Sequence, residues 1–369
     1  AAARPGRAAA LRAARGPRPP LTPPRVDHAG LRPRAGCARV PTAPPRTPPH
    51  PRATRTDRGH PAGTVEGVVP LPVRDGLNPT RLVLPHDAES VARYPRTLDY
   101  VRHRFPDDAA RLAEKVAAGE VVDGRGRPVD ARTPYEPRGF VFLYRDPPVE
   151  PDVPFEVRVL HRDRDLLVVD KPHFLATIPR GAYVARSVLV RLRRDLDLPE
   201  LSPAHRLDRV TAGVLLLTLR PQVRGAYQEL FARREVRKTY EAVAPWDPSL
   251  DLPATVRSRI VKRRGVMRAE EVDGEPNAES RVDVVETDPA RGLARYRLEP
   301  HSGRTHQLRL HMARLGVPIV HDNFYPEPYD VSPEDYSRPL QLVSRSLAFT
   351  DPFTGRERRF ATDRALSAW

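Results

Sequence analysis

The chain has 369 residues, and Lys+Arg outnumber Asp+Glu by 62 to 47, so a polyanionic partner held by salt-sensitive attraction is expected. A single cysteine excludes an internal disulfide and a thiolate metal cluster, which fits a reducing cytoplasm. The twelve histidines show no metal-ligand spacing and no apolar run reaches transmembrane length, so neither a metal nor a membrane partner is expected.

Residues 1–62 are Ala, Arg and Pro with few large apolar side chains. Such a segment cannot offset its ordering entropy, so a disordered basic tail is predicted. Its Arg-rich, acid-poor composition resembles a transit peptide, but the density of Pro opposes an amphipathic helix. The chain does not begin with Met, and a fragment or a mis-assigned start is the expected reason.

Residues 63–150 read as an N-terminal extension. A short strand is predicted at Leu82–Leu84. From Thr97, Leu98, Val101 and Phe105 recur at helical spacing, and a second helix places Ala109, Leu112, Val116 and Ala117 on one face. A Gly-rich turn at Asp123–Gly126 and a strand at Phe140–Tyr144 follow, and Pro147–Pro151 reads as a linker.

Residues 151–369 form the large domain. Strands are predicted at Glu156–Leu160 and Leu166–Val169, around a charged turn. A helix over Ser187–Leu196 buries Val188, Leu189, Leu192 and Leu196 and turns Arg191, Arg193 and Arg194 outward, as a solvated face or one that meets phosphates. Next comes His205-Arg206-Leu207-Asp208-Arg209-Val210-Thr211-Ala212-Gly213, then the apolar strand Val214–Leu219. A carboxylate between two arginines, in a loop entering a buried strand, stays ionised and is a usable nucleophile. The plainer alternative is a surface salt bridge. A helix over Gln222–Arg233 carries Val223, Ala226, Tyr227, Leu230 and Phe231 on one face. Strands are predicted at Lys238–Ala244, Arg281–Glu286 and Ala294–Leu298. A last helix over Thr305–Leu315 buries Leu308, Met312 and Leu315 and stops at Gly316 before Pro318. Strands with isolated helices, not strictly alternating, give an α+β fold on a mixed, mostly antiparallel sheet with flanking helices.

The Asp208 string resembles the central H-R-L-D-x-x-T-S-G motif of the RluA-type pseudouridine synthases, with Ala212 where Ser is usual. Further strings follow the family's pattern. Leu166–Pro172 is similar to its L-L-V-V-(N/D)-K-P, Lys238–Ala242 to K-x-Y-x-A, Gly303–Arg309 to G-R-T-H-Q-(I/L)-R, and Pro318–Asp322 to P-I-x-G-D with His321 in place of Gly. The resemblance spans roughly residues 155–360. It implies the pseudouridine synthase catalytic fold with a central RNA cleft. It also makes residues 63–150 a degenerate counterpart of the small ribosomal-protein-like RNA-binding module, or else a structural extension. The implied partner is RNA, with large-subunit (23S) ribosomal RNA as the expected target and transfer RNA as its rival. A cytoplasmic monomer is expected.

The implied reaction breaks the bond from ribose to uracil nitrogen and rejoins ribose to carbon 5, with no redox change and no cofactor. The resemblance makes Asp208 the catalytic residue, lays Tyr240 against the base, and pairs Arg309 with Asp208 as its counter-charge. Attack at the anomeric carbon, attack at carbon 6 and removal of the 2′ proton all remain open for Asp208. Arg206 fills the gap left by an extruded base, clamps a phosphate, or pairs with Asp208. His205 is expected to fix the loop, and Thr211 and Gly213 to shape it. Lys171 reaches the RNA backbone or is a solvated turn lysine. Arg304 and His306 bind phosphate or orient Asp208. Two other classes compete. One is a catalytically silent RNA-binding protein. The other is a hydrolase, which needs a second carboxylate, and Glu241 points away from Tyr240 by strand alternation.

Overall fold

Apolar runs and turn residues partition the described residues into two sheets. The computed structural model describes residues 70–369 except Pro148, so the predicted tail at 1–62 lies outside the described residues. The described residues fall in one compact unit.

The first sheet belongs to β1 (Thr80–Val83), β2 (Val122–Asp123) and β3 (Phe140–Leu143), in the order β1-β3-β2. Between β1 and β2 lie α1 (Ala88–Arg93), α2 (Thr97–Arg104) and α3 (Ala109–Ala117). Leu98, Val101, Leu112 and Val141 share its core, as the helical spacing of α2 and α3 requires. Helix α1 is additional to the sequence reading. It has no buried residue and so no apolar stripe to detect, but Asp87 caps it by accepting from the Ser90 N–H at 2.8 Å.

The second sheet carries the remaining strands. In chain order these elements are β4 (Arg158–Arg162), β5 (Leu166–Lys171), α4 (Val188–Asp195), β6 (Ser202–Pro203), β7 (Ala212–Thr218) and α5 (Pro221–Ala232). Then come β8 (Arg237–Pro245), β9 (Ala254–Val261), β10 (Glu270–Val272), β11 (Ala278–Asp288), β12 (Leu293–Pro300), α6 (Gln307–Arg314), β13 (Leu342–Thr350) and β14 (Glu357–Ala361). The strand order is β10-β9-β11-β12-β8-β13-β7-β5-β4, with β14 on β13 and β6 on β7. The β13–β7 pair is parallel, and the other pairs are antiparallel. The α+β class with a mixed, mostly antiparallel sheet is therefore as expected from sequence.

Strands β5 and β7 are buried at every residue. They read as continuous apolar runs because both faces are covered. Leu167, Val169, Leu215 and Leu217 pack with Leu189 and Leu192 of α4. Leu166, Val168, Val214 and Leu216 pack with Val223, Tyr227 and Leu230 of α5. Each such Leu or Val contributes roughly 1.5–3 kcal/mol by leaving water. This double cover makes the centre of the sheet a rigid frame for the loop that enters β7.

The outward face assigned to α4 needs correction. Arg191 donates to the carbonyls of Phe155 and Val153, and Arg193 to those of Leu201 and Gly76 and to Asn78. Both guanidiniums are turned into protein, where carbonyls satisfy their donors. Arg194 remains exposed. Arg193 thereby fastens the segment before β1 to the large sheet. Gly76, at φ +78°, sits so close to α4 that a Cβ would lie 2.5 Å from the Val190 carbonyl oxygen.

Candidate active site

The loop from Ala204 to Thr211 is held through its backbone on both sides of Asp208. The Thr177 hydroxyl donates to the Leu207 carbonyl at 2.8 Å and accepts from the Leu207 N–H at 3.2 Å. The Lys171 ammonium donates to the carbonyls of Arg209, Pro172 and Leu175 at 3.1, 2.8 and 2.8 Å. His173 Nδ1 bonds the Val210 carbonyl at 2.7 Å. Because that partner is an acceptor only, the proton is on Nδ1. The Thr211 N–H closes the turn on the Asp208 carbonyl at 3.1 Å. These bonds hold the backbone of residues 207–211, and among the described residues none is made to the Asp208 carboxylate.

The entry to β7 requires glycine. Gly213 has φ +112°, and a Cβ there would lie 2.2 Å from the Ser344 carbonyl oxygen. Register then places Tyr240, Ser344 and Gly213 side by side across β8, β13 and β7. Burial pushes the Tyr240 hydroxyl up to about 12, with the Ser344 hydroxyl acting against that shift and the Asp208 charge adding to it. Tyr240 thus lies within the field of Asp208 and is protonated at neutral pH.

Lys171, His306 and Arg309 feel the same charge. The Asp208 carboxylate favours the charged form of each. The charge of Asp208 therefore acts on side chains from β5, β8, the turn before α6, and α6 itself. Glu241, on the opposite face of β8, accepts from Arg345 at 2.7 Å, so alternation does turn it away from Tyr240.

Three expectations are corrected by this geometry. First, Arg309 does not make its two-pronged pair with Asp208. Its Nε and Nη2 donate to Asp322 at 2.7 and 2.6 Å, and both side chains are at most 2% exposed. Asp322 also accepts from the N–H groups of Phe324 and Tyr325. Burial opposes the Arg309 charge, but the Asp322 bonds more than offset it, so its pKa is raised. Arg309 reaches Asp208 through space and not by a direct bidentate bond. Second, Lys171 neither contacts RNA nor sits in solvent, because it is fully buried. Burial holds its pKa well below the usual lysine value, with Asp208 opposing that shift, and its three donors are spent on carbonyls. Third, the arginines beside Asp208 do not pair with it. Arg206 is exposed, and Arg209 lies over the Tyr183 ring at 4.8 Å while donating to the Phe174 carbonyl. Successive side chains in a turn diverge, so adjacency in sequence does not give contact.

The remaining candidates separate cleanly. His205 packs on β7 and α5. Its Nε2 accepts from the Leu216 N–H at 3.1 Å, and its ring stacks on Phe231 at 4.5 Å. These two contacts hold His205 at the start of the loop. Thr211 is buried behind the loop. Arg304 is exposed and donates to the Asn277 carbonyl. His306 lies before α6 with φ 57°, so that helix starts at Gln307 and not at Thr305. Thr177 and Asp322 were missing from the predicted site. Asp322 ends a string already matched to the family. Thr177 carried no signal, because its role rests on a contact with Leu207 thirty residues away.

Burial, with Lys238 adding to it, lowers the pKa of His205 to about 3. The unfolded chain binds this proton near pH 6.5, so protonation favours unfolding. The contribution is intact above about pH 6.5 and is lost as pH falls toward about 3, at up to roughly 1.4 kcal/mol per pH unit. The expected result is that His205→Gln, which keeps an acceptor but does not titrate, loses less stability than the native chain on acidification. Urea midpoints at about pH 7.5 and about pH 5 measure the difference. Equal losses would show that His205 is not the responsible group.

The family model for RNA pseudouridylate synthase matches residues 165–314. An uncharacterised RNA pseudouridine synthase of Synechocystis sp. is 31% identical over 233 residues, covering 62% of this chain and 78% of the relative. The dual-specificity RNA pseudouridine synthase RluA of Escherichia coli (strain K12) is 34% identical over 223 residues, covering 58% of this chain and 94% of the relative. A solved structure of human RNA pseudouridylate synthase domain containing 1 aligns with 23% identity and a TM-score of 0.44, over 58% of this chain and 86% of that one. With the relatives covered over most of their length at this identity, the chain belongs to the RluA-type family of RNA pseudouridine synthases, isomerases that convert uridine to pseudouridine in RNA.

Proposed function

We propose that this chain acts on an extruded uridine in structured RNA, with Asp208 as its catalytic carboxylate. The observation that carries the reading is the Asp208 loop. Its backbone is clamped by Thr177, Lys171 and His173, while among the described residues the carboxylate itself is spent on no hydrogen bond. A pre-positioned, unspent carboxylate is what covalent or proton-transfer chemistry at the ribose or base needs. In the reaction the bond from C1′ to N1 breaks, a bond from C1′ to C5 forms, C5 loses a proton and N1 gains one.

Tyr240 takes the role of the flat, protonated ring beside the base. Arg309 supplies positive charge behind Asp208, held in place by Asp322. Arg206 is exposed at the loop and is the residue to fill the space left by the flipped base. Arg304 adds a phosphate contact at the exposed entry to α6. Residues 63–150 extend the RNA-binding surface beyond the catalytic domain at 151–369. The protein works in a reducing compartment, the cytoplasm, in keeping with its single cysteine. Among the described residues no helix is long and apolar enough to cross a membrane.

The leading target is 23S ribosomal RNA, and transfer RNA is second. The printed name of the E. coli relative, dual-specificity, motivates testing both. Transcripts of each carrying tritium at uridine C5 should release it into water on incubation with the enzyme. Release of free uracil instead of tritiated water would show a hydrolase, and binding without either would show a silent RNA-binding protein. Pseudouridine mapping of total RNA from cells lacking the protein then names the site.

A further inference from the structure

His306 is held in one tautomer by a tyrosine that the reaction does not otherwise use. The Tyr325 hydroxyl accepts from the Ala269 N–H at 3.0 Å and donates to the Ala269 carbonyl at 2.8 Å. His306 Nδ1 lies 2.9 Å from the same oxygen. A phenol has one proton, here spent on the Ala269 carbonyl. Its remaining lone pair can only accept, so His306 must carry its proton on Nδ1. Nε2 of the neutral ring is then a bare lone pair, and no hydrogen bond within the described residues uses it.

The surroundings keep the ring in that state. Burial lowers the His306 pKa, and although Asp208 and Asp322 favour the charged form, Arg309 and Lys262 oppose it. The backbone is strained to put the ring there, since His306 occupies the left-handed region at φ 57°, ψ 19°. Tyr325 is itself fixed by its N–H bond to Asp322 and lies 5.4 Å beneath the Arg309 guanidinium. The tautomer is therefore tied to the same Asp322–Arg309 pair that stands behind Asp208.

We propose that His306 Nε2 is a specificity-determining hydrogen-bond acceptor for the target nucleoside, and that Tyr325 is a positioning residue that enforces it. This rests on the functional reading above. An acceptor of this kind takes an N–H or O–H donor, and the target nucleoside offers two: the uracil N3–H and the ribose 2′-OH. A bare lone pair repels a phosphate oxygen, so the phosphate role expected for His306 is set aside. Cytidine, which has a lone pair at N3, would meet Nε2 acceptor to acceptor.

The test uses the full-length enzyme and two modified RNAs as competitive inhibitors of tritium release. One has N3-methyluridine at the target and the other 2′-deoxyuridine. Inhibition constants report binding whether or not the modified base reacts. Against native enzyme, the RNA lacking the relevant donor should bind roughly 2- to 12-fold more weakly, the range for one neutral hydrogen bond. In His306→Asn, which tolerates the left-handed backbone but is too short to reach, that difference should disappear. The modified RNA that loses its penalty identifies the donor. If both penalties persist unchanged in His306→Asn, the proposal is wrong.

A second measurement is independent of RNA. Nitrogen-15 spectra of histidine-labelled protein, assigned through His306→Asn, should show a protonated Nδ1 and a bare Nε2 at neutral pH. Tyr325→Phe should mix the tautomers, and it should raise KM for the RNA more than it lowers kcat. A proton on Nε2 in the native enzyme, or a charged ring, would overturn the assignment. Were no tritium released by the native enzyme, the functional reading would fail on its own, and the tautomer would still stand or fall by the spectra.

Discussion

Asp208→Asn is expected to reduce tritium release to background while RNA binding stays near native. The substitution keeps size and shape, so the loop should not move. Its restraints are the Thr177 hydroxyl on Leu207, the Lys171 ammonium on the Arg209 carbonyl and His173 on the Val210 carbonyl, and none of them uses the Asp208 side chain. What is lost is the charge and the nucleophilic oxygen. Removing a single catalytic group of this kind costs on the order of 10⁴-fold in turnover. Binding is spared because affinity for RNA comes mostly from phosphate contacts spread over the basic surface. Filter binding and tritium release on the same preparation make the comparison. A folded Asp208→Asn protein that still released tritium at close to the native rate would remove Asp208 from the chemistry and leave the isomerisation to another group of the site.

The parts of the site that were legible from sequence are those carried by local pattern. The unbroken apolar runs of β5 and β7 told of strands covered on both faces, and α4 and α5 supply that cover. Gly213 was read as a tight entry, and the close approach of Ser344 gives the reason. His321 stands where the family string has Gly, and its φ of 63° shows why Gly is usual there. What escaped the sequence was pairing across long separations. Arg193 and Lys171 look like solvated cations in a linear reading. Only folding brings carbonyl oxygens around them, from Gly76 and Leu201 in one case and Arg209 and Leu175 in the other. The partner of Arg309 was misread for a related reason. Four acidic residues stand in the family strings, Asp170, Asp208, Glu241 and Asp322, and spacing alone does not say which one faces the guanidinium.

That choice of partner sets the second large effect. Asp322→Asn should destabilise the fold by about 3–5 kcal/mol, because it leaves a buried guanidinium without its compensating charge. Arg309 and Asp322 are no more than 2% exposed, so water cannot replace the lost charge. Asn keeps an acceptor for the Phe324 and Tyr325 N–H groups, which confines the loss to the ion pair. It also turns amide donors toward the Arg309 donors. The free guanidinium then still lies in the field of Asp208. Direct pairing there would occupy the carboxylate that the reaction needs unspent. Activity should therefore fall by more than the loss of folded protein explains. Urea unfolding at fixed slope gives the stability term, and tritium release per folded molecule gives the other. The double variant Asp322→Asn with Arg309→Met separates the two roles. Removing both charges should recover much of the stability, since no buried ion is left unpaired, yet it should not recover activity, since the charge behind Asp208 is gone. If Asp322→Asn stayed within about 0.5 kcal/mol of native, the range of an ordinary surface change, the Arg309–Asp322 pair would not anchor the site. Asp208 would then be the partner that matters to Arg309 in solution.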